Sequence, residues 1–174
     1  MSMPIPGSTA DLATKWAYIE EGINQIMAKQ EMSFTKYQAL YTEAYNYCTT
    51  TVDSHKPTDC QADLYDHLER YLASHVKLIR EKAISLEDEV TPEFYNTEWE
   101  RYKAGANYMN RLFTFLNRHW VRRQRDENKK DIYPIYTLAL VQWKLNMLDP
   151  IQDPQPNLAS VVELQRNEVQ QALE

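Results

Sequence analysis

The sequence has little glycine, the residue that most often forms turns and ends helices: it holds three in 174 residues. Its eight prolines are gathered at a few places, so long intervals carry no helix breaker. Because a strand-and-turn fold needs such breakers at short spacing, this distribution favours an all-α fold. The length and the 43% share of hydrophobic residues are sufficient for one domain with a buried core.

Other absences exclude further classes of protein. No apolar run approaches the length of a membrane span, and MSMPIPGSTAD lacks the charged and apolar regions of a signal peptide. Cys48 and Cys60 do not have metal-site spacing, and so few cysteines indicate reduced thiols and a location in the cytoplasm and nucleus. The formal net charge of −6 argues against general affinity for nucleic acid. We therefore expect neither a membrane nor a nucleic acid as a partner.

Candidate catalytic and metal-binding groups are also scarce. The four histidines, His55, His67, His75 and His119, show no i, i+4 pair and no zinc-ligand spacing. Acidic neighbours occur at Glu20–Glu21 and at residues 87–89, but neighbours on a helix point apart and acids in loops are usually solvated. The scattered glycines form no phosphate-binding loop. We predict no catalytic residue, no metal and no cofactor, and a protein that is not an enzyme.

The apolar residues recur at helical spacing. In the first predicted helix, 10–29, which Ser8 or Thr9 can cap, they stand at spacings of 4, 3, 4 and 3. A second helix begins after Ser33 and ends near Thr51, before the polar loop TVDSHKPTD. A third helix, which ends near the acidic loop LEDEV, carries one apolar face formed by Leu64, Leu68, Leu72, Val76 and Ile79.

The fourth predicted helix is the longest. Thr91 as cap and Pro92 at the first helical position are a strong start signal, and the apolar spacing continues to about Arg125, with Gly105 as a point where the helix could bend. A fifth helix begins around 132–134 and ends before Pro150. The pattern predicts an antiparallel five-helix bundle with a long fourth helix over 10–148, a disordered arm over 1–9, and a connector with a truncated next helix over 149–174. The apolar face of this last helix is ragged, so we expect a helix without packing partners.

The second helix has too many large rings for an ordinary surface helix. At about 100° per residue, Leu40, Ala44 and Tyr47 share one side, while a neighbouring stripe holds Phe34, Gln38, Tyr41 and Tyr45. Tyr37 lies between the two stripes. The helix is either central in the bundle, or it packs one stripe inward and presents the other as a protein-binding face. The periodicity alone favours neither interpretation.

The long helix repeats this surplus. Besides its core stripe it carries Leu112, Phe115 and His119 on a second face, followed by the basic VRRQR with Arg122. Two helices with surplus apolar faces suggest a shared groove. The basic run could be a solvated helix end, a patch for nucleic acid or a contact for an acidic protein surface. The surplus faces could also pair with each other in a homo-oligomer.

Three stretches carry a resemblance to a known family. YQALYTEAYNYCT at 37–49, LNRHWVRRQRDENKKDIYPIYTLALVQW at 116–143 and WAYIEEGINQI at 16–26 closely resemble the N-terminal region of the cullins that scaffold SCF ubiquitin ligases, and fungal members above all. The resemblance covers roughly 10–148. It implies a five-helix cullin repeat, and a non-catalytic scaffold module that binds a Skp-type adaptor with its F-box substrate receptor.

The resemblance also implies which residues bind. In the family, the positions matching Tyr37, Gln38 and Tyr41 contact the adaptor, and the position matching Phe115 joins them. Together with the helical spacing, this predicts a protein-binding face whose members are Phe34, Tyr37, Gln38, Tyr41, Tyr45, Leu112, Phe115, His119 and Arg122. A cullin exchange factor is a further expected partner. Cullins are several-fold longer, and a RING protein would bind only through their C-terminal part.

Overall fold

Helices form nearly all of the regular structure in the computed structural model, which describes residues 2–51, 57–86 and 90–174. Their order is α1 (Leu12–Met27), α2 (Phe34–Thr49), α3 (Pro57–Leu86), α4 (Pro92–Leu112), α5 (Thr114–Leu116), a π-helical segment (Asn117–Val121), α6 (Arg122–Asp126), α7 (Ile135–Trp143), a second π-helical segment (Lys144–Leu148) and α8 (Pro156–Leu173). No strand occurs in these described ranges. The all-α prediction is confirmed. Parts of the two predicted loops, 52–56 and 87–89, lie outside the described residues.

Side-chain caps fix where three helices begin. The Ser33 and Thr91 hydroxyls accept backbone N–H groups at the starts of α2 and α4, as predicted. The predicted cap of α1 at Ser8 or Thr9 is wrong, because the Asp11 carboxylate accepts the Thr14 N–H at 2.8 Å. Hydrogen bonds from the side chain and then the backbone of Thr14 lower the pKa of Asp11. A carboxylate next to the first turn also interacts favourably with the positive end of the helix dipole.

The predicted long fourth helix follows its expected path but is interrupted. Its core stripe is buried throughout and comprises Tyr95, Trp99, Tyr102, Ala106, Met109, Phe113, Leu116 and Trp120. The helix breaks at Phe113, where φ is −102° and ψ is 31°, and not at Gly105. A Cβ atom at Gly105 would lie 2.4 Å from Met27 Sδ of α1. Gly105 therefore allows α1 and α4 to pack closely, and the predicted bend at this residue is wrong.

Two asparagines connect this interrupted region to α7. Asn117 donates from Nδ2 to Asn110 Oδ1 at 2.8 Å and accepts the Ile135 N–H at 3.0 Å. Asn110 Oδ1 also accepts the Tyr136 N–H at 3.1 Å. No side-chain cap from the preceding Pro134 satisfies these first N–H groups of α7. The asparagine pair therefore replaces a local cap and holds α7 against the end of α4.

The last helix has packing partners within the chain. α8 packs against α4 and α7, and its buried residues are Val161, Val162, Gln165 and Val169. The expectation of a helix without packing partners is therefore wrong, although its apolar face is as short as the sequence suggested. The domain boundary near residue 148 stays a prediction, as does disorder of the N-terminal arm, in which the Met3 N–H donates to Glu21 at 3.4 Å.

Candidate protein-binding surface

The two stripes predicted on α2 separate between core and solvent. Leu40, Ala44 and Tyr47 are buried, and the Tyr47 hydroxyl donates to Asp63 of α3. The other stripe faces solvent: Phe34 is 73% exposed, Tyr41 40% and Tyr45 45%. Gln38 is exposed with them, and Tyr37 is half-buried. Of the two interpretations left open by the periodicity, the structure selects the one in which α2 packs one stripe inward and exposes the other.

Ring contacts join the exposed stripe of α2 to α4 and α5. Tyr37 lies against the edge of Tyr108, with ring centroids 5.4 Å apart, and Tyr41 stacks obliquely on Tyr37 at 6.4 Å. One helical turn further, Tyr45 meets Phe115 edge-on at 4.9 Å. Edge-to-face arrangements of this kind are favoured by the ring quadrupoles. We call this set of six rings, Phe34, Tyr37, Tyr41, Tyr45, Tyr108 and Phe115, the aromatic strip.

Partial burial in the strip affects Tyr37 most clearly. Desolvation raises the pKa of its hydroxyl, and the Arg111 guanidinium acts in the opposite direction. The hydroxyl is therefore neutral at physiological pH and can both donate and accept a hydrogen bond. A surface of large rings with polar tips is typical of protein-binding sites, because it buries apolar area while satisfying its hydroxyl groups.

The structure corrects one predicted site residue and adds two. Leu112 is only 1% exposed, so it belongs to the core and cannot contact a partner. It lies about 60° from the core stripe, and α4 packs against α1, α2 and α7, so its buried arc is wider than one stripe. Tyr108 and Arg111 were not predicted, although their spacing from Phe115, seven and four residues, is a helical signal for the same face.

The end of the surface is basic. His119 is exposed and stacks on Phe115 with ring centroids 4.2 Å apart. Arg122 is exposed as well and begins α6. Arg111 lies 5.5 Å from the centre of the Tyr108 ring, within the range of a cation–π interaction. The predicted rings and His119 thus lie on one surface formed by α2, α4, α5 and the π-helical segment, whereas Arg122 lines a hollow with Asn117 and Pro134 at the start of α7.

Other titratable side chains in the described ranges take part in ring contacts and ion pairs within the bundle. His67 stacks on Trp16, which is half-buried, with ring centroids 4.6 Å apart. Glu21 forms an ion pair with Lys36 at 2.9 Å, and this contact lowers the pKa of Glu21. No group of three or more metal-ligating side chains was found among the described residues, and no described helix is long and apolar enough to cross a membrane.

The two cysteines are free thiols inside the core. Burial raises the pKa of Cys48 to about 12, and burial also raises the pKa of Cys60, whose Sγ lies 3.2 Å from the Thr50 carbonyl oxygen. Thiols with raised pKa are poor nucleophiles. His55 and residues 87–89, considered above as candidate groups, lie outside the described residues.

Comparison with known proteins agrees with this fold. Residues 16–173 match the cullin family through its α-solenoid domain, and the chain belongs to this family. It is 31% identical to Cullin-1 of Caenorhabditis elegans, with 83% of the chain covered, and 32% identical to Cell division control protein 53 of Saccharomyces cerevisiae, with 88% covered. Cullin-1 of Schizosaccharomyces pombe is also 32% identical, over 87% of the chain. The chain spans 21% of the length of each of these relatives.

Proposed function

We propose that this chain is a scaffold module of an SCF-type cullin-RING ubiquitin ligase, and that it binds a Skp-type adaptor carrying an F-box substrate receptor. The observation that carries the proposal is the aromatic strip, which leaves Phe34, Tyr41 and Tyr45 exposed on a helix whose other stripe is fully buried. Membership of the cullin family and similarity to proteins named Cullin-1 support it.

The strip suits an adaptor contact for a physical reason. Interfaces concentrate their binding free energy in a few large, rigid side chains that become desolvated, and Tyr is among the residues most enriched there. Ring contacts with Tyr108 and Phe115 hold Tyr37 and Tyr45 in place before a partner arrives, which lowers the entropy lost on binding. In this proposal the module acts without catalysis, in the cytoplasm and nucleus, and a cullin exchange factor is a further partner.

The test is calorimetric titration of the chain with a Skp-type adaptor bound to an F-box fragment. We expect the Tyr37→Ala/Tyr41→Ala variant to lose more than about 2 kcal/mol of binding free energy, or about thirtyfold in Kd. Phe34→Ala is a second variant with an expected loss above about 1 kcal/mol. It cannot disturb the core, because Phe34 is the most exposed of the large hydrophobic side chains described.

Leu164→Ala provides the matched control, because Leu164 is 65% exposed but stands on α8, outside the strip. This variant should bind as the parent does, and circular dichroism should show equal helicity in all variants. Full binding by the double tyrosine variant would contradict the proposal. If the parent binds no adaptor but light scattering shows dimers that the double variant abolishes, the strip serves a homo-oligomer instead.

A further inference from the structure

The charge of this surface differs from that of the whole chain. The formal net charge is −6, yet residues 101–125 contain no Asp or Glu, while seven Lys and Arg residues stand among them. On α2 the one acidic residue is Glu43, which is 4% exposed and buried beneath the strip's helix. The aromatic strip is therefore flanked by positive charge, and the helices that form it expose no carboxylate between residues 34 and 49 or 101 and 125.

Five arginines in this region have no carboxylate partner. Arg111, Arg118, Arg122, Arg123 and Arg125 are exposed, and none of them forms an ion pair within the described part of the chain. Other cations do so: Lys36 pairs with Glu21, and Arg166 pairs with Asp149 at 2.9 Å. We call these five arginines the arginine edge.

A ring contact places one member of the arginine edge beside the strip. The Arg111 guanidinium lies 5.5 Å from the centre of the Tyr108 ring, whereas Arg122 follows the π-helical segment and lines a hollow with Asn117 and Pro134. His119 stacks on Phe115. A partner seated on the rings would therefore meet the unpaired Arg111 guanidinium at their edge.

From this geometry we infer that the partner of the strip carries an acidic segment beside its apolar contact, and that the arginine edge captures this segment. The inference rests on the proposed function and deepens it by naming the chemistry of the partner. A guanidinium is weakly hydrated and binds a carboxylate through two parallel hydrogen bonds, which makes an unpaired arginine well suited to an acidic partner.

The two parts of the surface then act on different rate constants. Unlike charges at the rim accelerate the encounter and are screened by salt, whereas desolvated rings determine how long the complex lasts. A nucleic acid fits the surface less well, because the net charge of −6 repels a long polyanion as it approaches.

The experiment measures association and dissociation of the chain with a Skp-type adaptor bound to an F-box fragment, at about 20 and 300 mM salt. We expect the association rate constant to fall about tenfold between the two salt concentrations, with a much smaller change in dissociation. Arg111→Glu should slow association at low salt by about tenfold, and Arg111→Lys should retain most of the parental rate. Tyr41→Ala should instead accelerate dissociation.

Lys77→Glu is the control, since it makes the same change in net charge at an exposed position of α3. It should alter association by less than about threefold. If the parent binds the adaptor but association is insensitive to salt, or Arg111→Glu behaves like Lys77→Glu, the inference is overturned while the proposed function stands. Absence of binding by the folded parent overturns both, and salt-sensitive retention of RNA or DNA that Arg111→Glu abolishes would assign the edge to nucleic acid.

Discussion

At the scale of single residues, His75 shows how burial changes chemistry that the sequence leaves open. Its ring lies between Tyr71 and Tyr102, with centroids 6.0 and 6.2 Å away and nearly parallel planes. Desolvation lowers the pKa of His75 from 6.5, and Glu98 opposes this effect. Lys82 and Arg101 lie 3.7 and 3.6 Å from the Glu98 carboxylate and weaken its influence.

The lowered pKa predicts a pH-dependent stability. Because the unfolded chain binds a proton at His75 more readily than the folded chain, the stabilisation is complete above about pH 6.5 and is lost as the pH falls through the folded pKa. We expect His75→Phe, which keeps a stacked ring, to flatten the slope of unfolding free energy between pH 7.5 and 5.5. The difference in slope should stay below about 1.4 kcal/mol per pH unit, the limit for one proton. Urea titrations at several pH values measure it, and equal slopes would exclude this role.

The same scale shows what helical spacing predicts well and where it fails. Helical spacing correctly separated Tyr41 and Tyr45 from Leu40, because α2 is regular from end to end, and the packing of the other helices left the first pair exposed and Leu40 buried. Helical spacing wrongly assigned the buried Leu112 to the binding face, since burial depends on how many helices surround a position and not on spacing alone. The binding roles assigned to the exposed residues stay predictions.

At the scale of elements, α8 depends on one buried polar side chain. Gln165 accepts the indole N–H of Trp143 at 2.9 Å and donates to the Tyr95 carbonyl at 3.3 Å, so it links α8 to α7 and α4. Both partners are buried. A buried polar group that loses its partner retains the full cost of its desolvation.

Gln165→Ala should therefore destabilise the protein more than a surface substitution does. We expect a loss of about 2–4 kcal/mol in unfolding free energy, because it leaves a buried donor and a buried acceptor unpaired. Gln171→Ala is the matched control at an exposed position of the same helix and should change stability by less than about 0.5 kcal/mol. Chemical denaturation followed by circular dichroism compares the two, and equal effects would show that the Gln165 bonds are replaced by water.

At the scale of the whole molecule, the contacts of α8 bear on where the folding unit ends. The sequence predicts a unit over 10–148, but α8 covers indole groups on two other helices: Trp99 Nε1 donates to Glu168 at 2.5 Å, and Trp143 donates to Gln165. Lys103 adds an ion pair to Glu168 at 2.9 Å. These contacts make α8 part of the same core as α4 and α7.

A chain ending at residue 150 tests this directly. Removal of α8 should expose Trp99 and Trp143 and lower the free energy of unfolding by several kcal/mol, because four buried residues, among them the indole partner Gln165, are lost together with Glu168. Tryptophan emission should shift to longer wavelength, and the thermal midpoint should fall. Unchanged emission and stability would instead support the boundary near residue 148 that the sequence predicts.

The sequence by itself determined the helical class, the starts of α2 and α4, the core stripe of the predicted fourth helix and the family. Breakers, caps and helical spacing are local properties of the chain. Tertiary structure decided what depends on neighbours distant in sequence: the pairing of Tyr37 with Tyr108, the burial of Leu112 and the docking of α8. Local spacing fixes which residues share a face. The other helices decide whether that face is core or solvent, because burial is a property of the assembled helices.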